Sequence, residues 1–324
     1  MCPGPPLSPS TGQARQTTAH TCVRTRVSAR AHRLRRAHAC RAYRRACPRT
    51  PEDFAVARRR KTLSQNFLHD PAAVRRILRA AALAPDSLIV EPGAGEGVLT
   101  RHLATAGRRV IAYEIDPRLA ARLGRRLGGR PGLRLVQGDF LRARPPREPF
   151  AVVGNIPYSR TTAIVRWCLA APQLTSATLL TQFEYAVKCT GGRGYRAGAQ
   201  RRGGGRWPLT TVRTWPEFEW RRLCRVGRGS FTPVPRTDSA VLRIDRRERP
   251  LLPPQVLPAY REFVANGFTG VGGSLAATLS RRHRTSRVRA AFDLAGADPS
   301  APVGLVTPQQ WLTLFTRLHG PYAD

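Results

Sequence analysis

This 324-residue sequence predicts an α/β fold: a doubly wound, mostly parallel sheet followed by a small α-helical domain at the C-terminus. Three observations carry that expectation. Short apolar runs suited to buried strands alternate with stretches at helical spacing from about residue 70 onward. The glycine-rich and acidic motifs fall at the C-terminal ends of those runs, the edge at which open α/β sheets bind ligands. Beyond Pro250, Pro253 and Pro254 the strand pattern stops and only helical periodicity continues.

The elements follow in order. Residues 1–57 are rich in Arg, Ala, Thr and Pro and poor in large aliphatics, which predicts a disordered basic tail that cannot offset its chain entropy. At Asp70-Pro71 a helix opens, with Val74, Ile77, Leu78 and Ala81 on one face. Leu88-Ile89-Val90 reads as a strand, the segment from Glu91 to Gly97 as a tight turn, and Val98, Leu99 and Leu103 as the next helix. Arg109 to Tyr113 forms a second strand ending at Glu114, and Asp116-Pro117 starts a helix through Leu119, Leu123 and Leu127. Leu133 to Gln137 closes on Gly138-Asp139, and Phe150 to Val153 closes on Asn155. Ala177 to Thr181 reads as a fifth strand, and Leu209 to Trp215 with Phe218 to Val226 as a late β pair joined at Pro216-Glu217. Residues 189–207, rich in Gly and Arg, read as a mobile loop. Helices are expected over Val256 to Ala265, Ser274 to Arg282, Thr285 to Phe292 and Pro308 to Leu318. The domain reading is therefore a tail over 1–57, an α/β domain over 58–249 and a helical, nucleic-acid-binding domain over 250–324.

Charge narrows the partner. The chain carries 55 basic and 20 acidic residues, a formal +35, and its only lysines are Lys61 and Lys188. Eleven arginines and no acid fall in the first 50 residues, so most of the excess lies beyond the tail. Such a field favours a polyanion, nucleic acid first, because each neutralised phosphate releases counterions. With no run of 18 apolar residues and no apolar leader, a soluble, cytoplasmic protein is expected, with no membrane partner. The seven cysteines form no Cys-x-x-Cys pair, and Cys22, His32, His38, Cys40 and Cys47 fit no common ligand spacing, so no metal site is expected.

The chemistry gathers at the strand ends. Gly93-Ala94-Gly95-Glu96-Gly97 lets a cofactor approach the backbone, but its third glycine is one residue too early for the dinucleotide fingerprint. Glu114, 21 residues beyond Gly93, can accept both hydroxyls of a ribose, which suits NAD and S-adenosylmethionine (SAM) alike. An acid at Asp139 can accept from a cofactor's adenine amine. Asn155-Ile156-Pro157-Tyr158 favours methyl transfer to an amine: the Asn155 carbonyl and the Ile156 backbone oxygen can grip two N–H bonds, Pro157 stiffens the turn, and Tyr158 can stack on a base. A dehydrogenase would want a His or Lys at this edge, and none is evident there.

Ser64-Gln65-Asn66-Phe67-Leu68, the glycine turn, Tyr113-Glu114-Ile115-Asp116-Pro117, Gly138-Asp139-Phe140, Gly154 to Ser159 and the segment Phe231 to Ser239 occur in one order. In that order the chain resembles the rRNA adenine N6-methyltransferases over about residues 58–320. It looks like their erythromycin-resistance (Erm) branch, of actinobacterial type, with Ser64 where the 16S enzymes usually carry glycine. The resemblance implies a Rossmann-like SAM-dependent methyltransferase, acting as a monomer on an adenine of 23S rRNA before ribosome assembly is complete. It implies that Asn66, Leu68, Gly93 and Gly95 line the SAM pocket, Glu114 binds the ribose and Asp139 the cofactor adenine. Asn155 would contact cofactor and target amine, with Tyr158 and Phe231 flanking a flipped base. The alternatives it leaves are a 16S rRNA dimethyltransferase and a catalytically silent nucleic-acid-binding homologue.

Overall fold

The computed structural model describes residues 66–105, 108–192, 206–270 and 273–320; the tail, Ser64, Gln65 and most of the 189–207 stretch lie outside the described residues. The strands are β1 (Phe67–Leu68), β2 (Leu88–Pro92), β3 (Arg109–Glu114), β4 (Leu133–Gln137), β5 (Phe150–Asn155), β6 (Leu174–Gln182), β7 (Phe218–Val226), β8 (Phe231–Thr232) and β9 (Ser239–Arg246). The helices are α1 (Pro71–Ala81), α2 (Thr100–Leu103), α3 (Pro117–Leu127), α4 (Thr161–Ala170), α5 (Phe183–Cys189), α6 (Leu209–Thr214), α7 (Leu257–Gly267), α8 (Leu275–Ser280), α9 (Thr285–Ala295) and α10 (Pro308–His319).

Seven strands form one sheet in the order β4-β3-β2-β5-β6-β9-β7, parallel from β4 to β6, with β9 antiparallel to both of its neighbours. Chain order runs outward from β2 through β3 to β4 and then returns to β5 on the other side of β2. That reversal opens a crevice between the tips of β2 and β5. Val74, Ile77, Leu103 and Leu123 cover one face of the sheet, packing on Ile89, Val110 and Val153. Ile164, Val165 and Cys168 of α4 cover the other, on Val90, Phe150 and Val152.

Local chemistry explains the helix starts. In α1 the Ala72 N–H donates to Asp70 (2.8 Å), in α3 the Arg118 N–H donates to Asp116 (2.8 Å), and a proline follows each cap. The α10 start is a full capping box, with Thr307 and Gln310 bonding each other's backbone N–H.

Two sequence expectations are corrected. Leu209–Thr214 is helix, not strand: its Thr and Val residues favour a strand only weakly, whereas the helix buries Thr211 and Val212 and presents the Val212 carbonyl to the Tyr260 hydroxyl at 3.0 Å. The partner of β7 is instead β9, which periodicity did not single out. Val212 also joins the core of the C-terminal helices, with Tyr260, Phe263, Phe292 and Trp311, so that core recruits a segment well before Pro250.

Gly97 has φ +77°, and a Cβ there would come within 2.4 Å of Leu123 Cδ1 on α3. Gly97→Ala is expected to destabilise the protein by about 2–4 kcal/mol, left-handed strain plus overpacking. Denaturant titration would show this as a lower midpoint at unchanged slope.

Candidate active site

One cavity occupies the crevice, bordered by the 91–97 turn, the tips of β3 and β5, the turn after β4 and the Asn66–Leu68 segment. Of the residues expected from sequence to form the site, all but Phe231 border it.

The glycine turn is held open by backbone geometry. Gly93 and Gly95 have φ of +72° and +56°, where a side chain would be strained. The Gly95 N–H donates to Glu114 Oε2 (2.7 Å) and the Asp116 N–H to Oε1 (2.8 Å), so Glu114 is fixed by both oxygens at the end of β3. It is 3% exposed, and burial pushes its carboxyl above the usual range despite those two donors. Asp139 accepts from the Leu141 N–H (2.9 Å), which orients its carboxylate at the cavity edge.

At the tip of β5, Asn155 Nδ2 donates to the Asn66 carbonyl (2.8 Å). That bond commits one of the two amide N–H groups to the protein and fixes the amide's orientation, while Oδ1 accepts from no described residue. Ile156 follows the last β5–β6 pair, Asn155 with Leu180, so its carbonyl lies beyond the ladder. The Tyr158 hydroxyl shares a 2.6 Å hydrogen bond with Ser239 Oγ, which is fully buried at the start of β9. Burial raises the Tyr158 phenol above its ordinary value, so it stays protonated at neutral pH.

Phe231 is the exception. It pairs with Leu68 in the β1–β8 ribbon and is 1% exposed, packed in the core among Leu68, Val226 and Val241. Its ring supports the floor of the Asn66–Leu68 segment and does not border the cavity.

Sequence reasoning missed three members. Glu91 heads the glycine turn, is 1% exposed, and its Oε2 has no hydrogen-bond partner among the described residues. Burial pushes its carboxyl up to about 8. Glu96 adds a further carboxylate, and Arg160, exposed just after Tyr158, is the one cation bordering the cavity among the described residues. The signal for Glu91 was its place at the end of an apolar strand. The cavity thus gathers the acids Glu91, Glu96, Glu114 and Asp139, a set whose ionised members fit a ligand carrying positive charge.

The family model for ribosomal RNA adenine dimethylase matches residues 56–319. The chain belongs to this family. An rRNA adenine N-6-methyltransferase of Streptomyces fradiae is 54% identical over 263 residues, 81% of this chain and 79% of its own. The ribosomal RNA small subunit methyltransferase A of a Synechococcus strain is 32% identical over 270 residues, 80% of this chain and 92% of its own. Among solved structures, that of the 23S rRNA methyltransferase ErmE matches with a TM-score of 0.72 at 49% identity, covering 79% of this chain and 100% of that one. The mostly parallel sheet with flanking helices and the helical C-terminal region of this family member agree with the fold class expected from its sequence.

Glu91 generates a pH signature. The folded state keeps its proton up to about pH 8, while the unfolded chain loses it in the ordinary carboxylate range, so folding stability falls as pH rises across that window. In ligand-free protein, the stability of Glu91→Gln relative to the parent should therefore increase from about pH 5 to pH 8 and level off above. Denaturant titrations at several pH values check this; a constant difference would place the Glu91 proton elsewhere.

Proposed function

We propose that this protein transfers a methyl group from SAM to N6 of an adenine in 23S rRNA, as a cytoplasmic monomer acting before ribosome assembly is complete. Methylation there would lower macrolide, lincosamide and streptogramin B binding by adding bulk and removing an amine hydrogen bond in the drug site. The observation that carries the chemistry is the Asn155–Asn66 bond, which fixes the orientation of an amide whose oxygen, Oδ1, can accept from the target amine. For 23S over 16S rRNA, the support is the 49% identity to the 23S rRNA methyltransferase ErmE against 32% to a small-subunit methyltransferase.

The residues present fit SAM: a glycine turn open to close approach, a carboxylate at the tip of β3, an orphaned buried oxygen on Glu91 and two further acids, Glu96 and Asp139. Bound there, SAM would supply a methyl group already activated on a sulfonium. Glu114 and Asp139 would hold its ribose and adenine, with Asn66, Leu68, Gly93 and Gly95 forming the walls.

The target amine is a weak nucleophile because its lone pair is delocalised into the ring. Asn155 Oδ1 and the Ile156 carbonyl accept its two N–H bonds and favour a pyramidal nitrogen, which localises the pair. Tyr158, braced by Ser239, flanks the extruded base, and Pro157 keeps the acceptors fixed. The departing proton passes to solvent after transfer.

With labelled SAM and protein-free rRNA, label is expected in 23S and not in 16S; label in 16S alone would reassign the protein to the small-subunit branch. Asn155→Ala is expected to lower the turnover rate by about 10²-fold or more, the scale for losing one oriented polar contact to a reacting group. Its rRNA affinity should stay within about twofold, because phosphate contacts dominate binding. Filter binding and single-turnover labelling separate the two.

A further inference from the structure

Behind the active-site cavity lies a second one of opposite charge. Tyr113 borders both, and the wall between them is Tyr113 packed edge-on against Phe140 (5.7 Å), with Phe140 against Trp167 (4.3 Å). The second cavity is a groove along β2, β3 and β4 on the face away from α3. It is open because nothing helical follows β4 except the short 3-10 turn Phe140–Arg142. Pro145, Pro146 and Pro149 keep the rest of the connection to β5 extended, and no residue of β4 is buried.

The floor is apolar and half-buried, formed by Ile111, Tyr113 and Trp167, and the Trp167 indole N–H is tied to the Ala143 carbonyl at 2.9 Å. The rim is basic. Arg109 is neutralised by Glu148 through two hydrogen bonds of 3.0 and 2.7 Å, a clamp that also pins the connection to β3. Arg134, Arg144 and Arg147 are exposed and make no ion pair or side-chain hydrogen bond with any described residue. Three uncommitted guanidiniums thus surround a floor able to take a flat base.

We propose that this groove binds a single-stranded stretch of the substrate RNA, phosphates on Arg134, Arg144 and Arg147 and a base against the apolar floor. The inference rests on the reading that the chain acts on rRNA. Charge selects the occupant: a second copy of this chain, at +35, is repelled, whereas a phosphodiester strand releases counterions on docking. Five-residue strands give the groove a length of about 15 Å, enough to follow a backbone rather than a lone ion. Contacts of this kind position RNA without reading its sequence. The acidic cavity would then hold the cationic donor while the basic groove, one aromatic wall away, takes up the polyanion.

The test uses the full chain with Arg134→Gln, Arg144→Gln and Arg147→Gln combined, a 23S rRNA fragment and a salt series. The plot of log Kobs against log[salt] should become shallower by about 2–3, the share of three phosphates. KM for the fragment should rise about tenfold at moderate salt, with kcat and SAM affinity little changed. The triple Lys variant, which keeps the charges, should restore the slope and shows that any loss in the Gln variant is not misfolding. An unchanged slope and KM would overturn the groove. So would a fall in kcat alone, which assigns the groove to supporting the cofactor cavity, or a loss confined to phosphatidylserine vesicle binding. Failure of the parent chain to label any rRNA would sink the proposed function instead, and the salt slope would still report on the groove.

Discussion

The hydrogen bond from Asn155 Nδ2 to the Asn66 carbonyl ties together the two parts of the chain on which the site depends. One end is the tip of β5 at the point where the sheet reverses direction. The other belongs to the short segment before α1, far away in sequence. Without a partner for its amide N–H groups, Asn155 could present either end to a ligand; with one, the amide's orientation is fixed and Oδ1 is left to accept from a ligand. The approach of β5 to β2 that makes this bond useful is itself close, since a Cβ on Gly154 would lie 3.0 Å from Pro92 Cδ. Glycine at 154 is therefore a packing requirement of the crevice.

Electrostatics then divides the molecule. A strongly basic chain concentrates four carboxylates around one cavity, two of them on buried glutamates whose ionisation is opposed by desolvation. A buried acid with an unpartnered oxygen is costly unless a ligand completes it, which points to a ligand at the Glu91 end of the cavity. The Tyr113, Phe140 and Trp167 wall keeps that acidic region apart from the arginines of the open sheet face.

Much of this was legible in the sequence because it is written locally. Three of the first four strands of the sheet, β3, β4 and β5, end on a polar residue, and Asp70-Pro71 and Asp116-Pro117 mark helix starts by cap chemistry alone. The clustering of Gly93, Glu114, Asp139 and Asn155 followed from parallel topology, which brings all the strand ends to one edge. What was not legible depends on distant partners. Whether Leu209–Thr214 becomes helix is settled by Tyr260 and the C-terminal core, and β9 is placed between β6 and β7 by long-range pairing that no period encodes. Glu91 reads as one more turn residue until its burial is known.

Phe231 shows how a motif residue can belong to a site without facing it. The β1–β8 ribbon pairs Leu68 with Phe231 and Phe67 with Thr232; the His69 N–H donates to the Ser230 carbonyl (3.0 Å), and the Ser230 hydroxyl to Asp70 Oδ2 (2.9 Å). Asp70 is also the cap of α1, so the ribbon, the helix start and the segment carrying the Asn66 carbonyl are coupled. A ring buried at Phe231 anchors that ribbon in the core, and the ribbon sets where the Asn66 oxygen can reach. The same stretch of chain then leads through Asp238, which the Arg228 N–H and the Arg225 side chain hold, to Ser239 beneath the Tyr158 hydroxyl. Both acceptor-side residues, Asn155 and Tyr158, are thus braced by neighbours of one motif spanning 231–239, which explains why residues so far from the glycine turn in sequence belong to the same chemistry.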